Sequence, residues 1–224
     1  MYHAKLIDKS CREIERYRHS TSKVVCVGRN YSAHAKELNN PIPKKPLLFI
    51  KSTNTLVDLG GIISIPSEKG ECQHELEIAV LIGEPLTNAD QQSCCRAIKG
   101  LGLGLDLTLR ELQSQLKAKG QPWEKSKSFD GACPVSGFIA IDNFPDLANV
   151  DFKLVKNDQC AQIGNSKDML FDIPSLIADI SSNFTLYPGD IILTGTPEGV
   201  ASLASGDRIS LELNRLPIAE ATIA

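Results

Sequence analysis

The chain has 224 residues, 42% of them hydrophobic, with a formal net charge of −3. That length suits one large domain or two small ones and can bury a sizeable core. No cluster of Lys and Arg interleaves with aromatics, which argues against a nucleic-acid surface, and no stretch reaches the ~20 apolar residues of a membrane span.

The opening MYHAKLIDKS has no apolar signal core. Seven irregularly spaced cysteines without a CxxC pair suit a reduced, cytoplasmic chain better than a disulfide framework.

Residues 1–22 are polar, with weak periodicity, and read as a short N-terminal segment before a single domain over residues 23–224. VVCV (24–27) is a short apolar strand, Gly28 to Asn30 turns out of it, and SAHAKEL (32–38) is a short helix. His34 and Glu37 lie three apart and are neighbours on that helix. A carboxylate beside an imidazole orients it and makes it a stronger base, although an ordinary surface pair has the same spacing. Three prolines make NNPIPKKP (39–46) a loop, and LLFI (47–50) is the next strand.

HELEIAVLIG (74–83) is a largely buried strand ended by Gly83 and Pro85. Glu75 and Glu77 share one face of it. Two carboxylates that close repel by roughly 1 kcal/mol in water and about 4 at an effective dielectric of 20, so a solvated face or a bound cation must relieve them. His74 beside them reads as a packed or capping histidine. Residues 91–99 are helical, and LGLGLDL (101–107) is a glycine-spaced strand ending at a third acid, Asp106. TLRELQSQLKAK (108–119) is helical, with Thr108 and Glu111 spaced as a capping box and Arg110 and Gln113 on one face. Lys125 and Lys127 in WEKSKSF (123–129) have the pattern of solvated lysines.

Strands follow at PVSGFIAI (134–141) and VDFKLVKN (150–157). FDIPSLIADISSNF (171–184) is an amphipathic helix, YPGD (187–190) a turn, and IILTG (191–195) and GDRISLEL (206–213) are strands. TGTPEG (194–199) is a tight turn whose Thr196 hydroxyl can face a ligand. Short strands outnumber helices without regular alternation, which argues for a β-rich α+β fold rather than a doubly wound sheet. GLGLGL (100–105) is not a phosphate loop. Glu75, Glu77 and Asp106, with no Cys or clustered His, form a hard oxygen set suited to Mg²⁺ or Mn²⁺. Each acid taken alone also has a bland reading, as a solvated side chain or a helix cap.

GRNYSAHAKEL (28–38), HELE (74–77), LDLTLRELQ (105–113), KSFDGACPVSGF (127–138) and GDIILTGTPEGV (189–200) occur in one order. Over roughly residues 20–215 the chain resembles the fumarylacetoacetate hydrolase family, and within it the short acylpyruvase-type members. The resemblance implies a mixed β-sheet roll, a catalytic divalent metal, a small-molecule 2-oxo acid substrate and a homodimer. It assigns Glu75, Glu77 and Asp106 to the metal, His34 and Glu37 to a water-activating dyad, and Lys127 to the metal's side. Arg110, Gln113 and Thr196 fall where relatives contact the substrate. Where larger members carry a further acidic ligand, this chain has Val27. The dyad favours hydrolysis of acylpyruvates to pyruvate and a carboxylic acid, since hydrolysis alone needs an activated water. Oxaloacetate decarboxylation, tautomerisation and dienedioate isomerisation use the same metal carboxylates and stand as alternatives. A metal-binding dimer without catalysis is a further alternative, of another class.

Overall fold

The computed structural model describes residues 1–37 and 41–224, the side chains of residues 34–36 excepted. The apolar and alternating runs become strands. They are β1 (Lys5–Ile7), β2 (Glu13–Arg16), β3 (Val24–Gly28), β4 (Leu47–Lys51), β5 (Leu56–Asp58), β6 (Gly61–Ile63), β7 (Cys72–His74), β8 (Leu76–Ile82) and β9 (Ile98–Leu105). After them come β10 (Thr108–Leu109), β11 (Cys133–Val135), β12 (Phe138–Ala140), β13 (Asp151–Lys156), β14 (Gln159–Asn165), β15 (Ile191–Leu193), β16 (Ala201–Ser202), β17 (Arg208–Leu213) and β18 (Leu216–Ile223). The helices are α1 (Ser32–Glu37), α2 (Gln91–Ala97), α3 (Arg110–Ala118), α4 (Glu124–Lys127) and α5 (Ile173–Asn183).

Among the described residues the main sheet runs β2-β1-β12-β9-β8-β15-β3-β4, with β11 and β5 branching from β9. It is mixed: β1 with β12, β15 with β3 and β11 with β5 are parallel, and the other pairs are antiparallel. A second sheet, β14-β13-β17-β18-β6, packs its apolar face toward the first, and a small sheet, β10-β7-β16, links them near the site. This is the β-rich fold expected from the strand count. Every residue of β8 is buried, which is why its sequence is a continuous apolar run instead of an alternation. No helix among the described residues is long and apolar enough to cross a membrane.

Several elements differ from expectation. Residues 1–22 supply two strands, and β1 joins the main sheet with Ala4, Leu6 and Tyr17 buried. The expected strand over 134–141 breaks at Ser136–Gly137. There the Ser136 hydroxyl accepts from Leu103 N at 2.9 Å in place of a ladder carbonyl. A Cβ on Gly137 would lie 2.3 Å from Ile7, so glycine is required for β1 to approach. Thr108 does not cap a helix. Its backbone pairs with Gln73 in β10, its hydroxyl donates to Asp106 O, and α3 starts at Arg110 without a side-chain cap. α5 begins where expected: Asp172 accepts from Ser175 N at 2.8 Å, and Pro174 lies in the first turn, where its missing N–H costs nothing.

Candidate active site and metal centre

Strands β8 and β9 pair with Leu76 opposite Leu105 and Glu77 opposite Gly104. That register sets Glu75, in the break between β7 and β8, beside Asp106, just past the end of β9, and Asp106 N donates to Glu75 O at 2.9 Å. Glu75, Glu77 and Asp106 are all buried, and one carboxylate oxygen from each lies within 4.8 Å of the others.

Among the described residues, three cations neutralise Glu75 and Asp106. Arg110 Nη2 donates to Glu75 Oε1, and Lys127 Nζ lies 2.9 Å from Glu75 Oε2 and 2.5 Å from Asp106 Oδ2. Lys51 Nζ sits 2.7 Å from Asp106 Oδ1. Burial alone would lower the Lys127 ammonium, but the charges of Asp106 and Glu75 outweigh it and raise the pKa. Glu77 has no such partner among the described residues, and Gly195 N donates to its Oε2 at 2.6 Å. Burial, then the charges of Asp106 and Glu75, push its pKa well above the usual carboxylate value.

These residues fit a divalent cation. The donors are hard oxygens, they are buried and convergent, and Asp106 Oδ1 accepts no aligned hydrogen bond despite its contact with Lys51. The pocket that holds them is also lined by Gly28, Arg29, Phe49, Gln113, Lys117, Trp123 and Thr196.

The other expected site residues are placed as follows. Arg110 and Gln113 share a face of α3, and Arg110 Nη1 donates to Gln113 Oε1 at 2.8 Å. Thr196 is buried, and its oxygen accepts from Gln162 Nε2 at 2.9 Å, leaving the hydroxyl proton for another acceptor. Glu37 is exposed on α1, and its carboxylate accepts from Gly199 N at 3.2 Å. The His34 side chain lies outside the described residues, so the dyad's geometry is not described. His74 is buried and bonded to Gln162 Oε1 at 2.8 Å through Nδ1, apart from the acid cluster.

Three contributors escaped sequence reading. Lys51 is fully buried at the end of β4, where a terminal lysine looks solvated. Gln162 joins His74, Leu76 N and Thr196. Asn30 ties β3 to the 194–196 turn by donating to Thr194 O at 2.8 Å. Lys51 ends the apolar strand β4 and Asn30 follows β3, whereas Gln162 lies inside β14, where nothing in QCAQIGN marks it.

Comparison with known proteins places this geometry. Residues 23–224 match the family model of the fumarylacetoacetate hydrolase C-terminal region. The chain is 48% identical over 191 residues to the Escherichia coli (strain K12) oxaloacetate tautomerase YcgM, covering 85% of this chain and 87% of that protein. It is 45% identical over 195 residues to a mitochondrial oxaloacetate decarboxylase of Dictyostelium discoideum, covering 87% and 89%. The crystal structure of fumarylpyruvate hydrolase from Pseudomonas aeruginosa, in complex with Mn²⁺ and pyruvate, superposes with a TM-score of 0.89. It is 25% identical, with 100% of this chain and 97% of that one covered. With its strand order, its buried acid cluster and this match over residues 23–224, the chain belongs to the fumarylacetoacetate hydrolase family.

Proposed function

We propose that the chain is a divalent-metal-dependent enzyme, using Mg²⁺ or Mn²⁺, that interconverts the keto and enol forms of oxaloacetate, with slower loss of CO₂ as a side reaction. The observation that carries this is the buried cluster Glu75, Glu77 and Asp106 with the Lys127 ammonium against it. Relatives at 45–48% identity bear oxaloacetate tautomerase and decarboxylase names, and fumarylpyruvate hydrolase names belong to structural neighbours at 25–30%. That pattern supports the expected alternative over acylpyruvate hydrolysis.

A cation held by the three carboxylates supplies positive charge for the 2-oxo end and for the oxygen anion of the enol form. The chain's own groups do the rest. Lys127 remains an ammonium and adds positive charge on the oxyanion's side of the pocket. Arg110 and Gln113, one turn apart on α3, and the Thr196 hydroxyl offer donors to carboxylate and keto oxygens. His34, the base expected of the dyad with Glu37, takes the proton from carbon 3 of the keto form and passes it to the 2-oxygen to give the enol, and the reverse transfer restores the keto form. No water enters and no carbon–carbon bond breaks in that exchange.

The test follows the enol absorbance of oxaloacetate with Mg²⁺, with Mn²⁺ and with chelator, alongside pyruvate release. Enol decay should be accelerated by the metal-loaded protein and abolished by chelation or by Glu75→Ala. His34→Ala should slow it roughly 10²–10⁴-fold, the usual contribution of a general base. Full activity after exhaustive chelation, or hydrolysis of acetopyruvate much faster than tautomerisation, would sink this reading.

A further inference from the structure

Among the described residues, five cationic side chains lie around or behind the three acids of the pocket. Lys51, Lys127 and Arg110 each contact Glu75 or Asp106. Arg29 and Lys117 line the same pocket, and among the described residues neither meets a carboxylate. Once a divalent cation occupies the acids, the pocket carries a large positive excess. An anion with a single charge leaves most of that excess uncompensated in a partly buried space, where charges interact more strongly than in water.

Both residues are held in place. Arg29 follows β3 with φ at 59°, the left-handed region that a bulky side chain rarely adopts. Such conformations persist where the surroundings enforce them, commonly at functional sites. Its neighbour Asn30 is fixed on both sides, donating to Phe171 O and Thr194 O and accepting from Phe171 N. Lys117, near the end of α3, lays its ammonium 5.6 Å from the centre of the Trp123 ring. Trp123 meets Phe49 edge to face at 6.1 Å, and Phe49 carries Lys127 over its own ring at 5.3 Å. An aromatic wall thus separates Lys117 from Lys127 on one side of the pocket. Loss of hydration, then the charges of Arg29, Arg110 and Lys127, lower the Lys117 pKa against the opposing charge of Glu75. Those cations are therefore close enough to act on one another.

We propose that Arg29 and Lys117 form an anion subsite that takes the far carboxylate of a dicarboxylic 2-oxo acid, and so select two-carboxylate substrates over their one-carboxylate analogues. This rests on the reading of the acid cluster as a 2-oxo acid site. The 2-oxo end lies against the acid cluster with Lys127, Arg110 and Gln113, and the second carboxylate reaches Arg29 and Lys117. Arginine offers that carboxylate a two-pronged donor, and lysine adds a point charge.

The test compares malate with lactate, stable 2-hydroxy acids that differ by the far carboxylate. Each is titrated calorimetrically into Mn²⁺-loaded wild type, Arg29→Gln, Lys117→Gln and the double variant. Wild type should bind malate at least about tenfold tighter than lactate. The double variant should lose roughly ten- to hundredfold in malate affinity, with lactate within about twofold. Lys117→Arg, which keeps the charge at an exposed position, should restore most of the loss. With oxaloacetate as substrate, the double variant should raise KM with little change in kcat.

Equal losses for malate and lactate, or unchanged malate binding, overturn the subsite. If wild type prefers malate and the double variant does not, the subsite stands even where oxaloacetate is not turned over, and the proposed reaction falls instead. If oxaloacetate is turned over while the double variant keeps the malate preference, the reaction stands and the subsite falls.

Discussion

Glu77 is the residue on which metal affinity and pH meet. Burial, then its two acid neighbours, raise its folded pKa above that of a free carboxylate. For such a group the metal-free fold gains stability that is fully present below the unfolded pKa and is lost as pH rises through the folded value. A metal has to displace that proton, so its binding runs the opposite way and weakens as pH falls through the same value. The rise in melting temperature on adding Mn²⁺ should therefore shrink on acidification, starting above the ordinary carboxylate range, and Glu77→Gln should remove most of it at every pH. A rise that stays constant from about pH 8 to about pH 5 would count against this. The acids themselves were legible in sequence because charge inside an apolar strand is costly and needs an explanation. Lys51 was not, because one lysine at the end of LLFIK looks the same whether its ammonium meets water or, as here, Asp106 and three carbonyls.

Among the elements, the turn after β15 shows how backbone shape reaches the chemistry. Gly195 has φ at 100°, and a Cβ there would lie 2.7 Å from Asn30 Cβ. Its N–H is also the donor to Glu77. Gly195→Ala should cost roughly 1–3 kcal/mol in chemical denaturation, the strain of a left-handed non-glycine residue, and should weaken metal binding by displacing that donor. Unchanged stability and unchanged metal affinity would show that the turn is not under constraint. The central strands and α5 could be read from apolar periodicity alone. Among the strands that were overlooked, β14 and β18 had signals in the sequence. Asn157–Asp158 and Asn214–Arg215 each place two consecutive residues at positive φ between paired strands, the two-residue hairpin geometry that asparagine tolerates. The edge strand β2, EIER, is exposed at all four positions and gave no apolar pattern to find.

For the whole molecule, the family resemblance supports a homodimer, and symmetric pairs are the commonest soluble assemblies. Light scattering at micromolar concentration should give twice the mass of one chain, and a particle of single-chain mass would refute it. The reaction was less legible than the fold because tautomerisation, decarboxylation and hydrolysis share one set of metal carboxylates. His34 and Glu37 pointed to an activated water, yet the same pair can move a proton on carbon.

The order of the main sheet has a further consequence, in time rather than in space. β1 lies beside β12 and β3 beside β15, so strands within the first 28 residues pair with residues 138–139 and 191–193. Neither early strand has its parallel neighbour until more than a hundred further residues have left the ribosome. Pairings this distant along the chain must close long loops before they yield any stabilisation, which makes folding slow. During synthesis the apolar VVCV segment must therefore wait, uncovered on its β15 side, and such waiting strands are where aggregation starts and where chaperones bind.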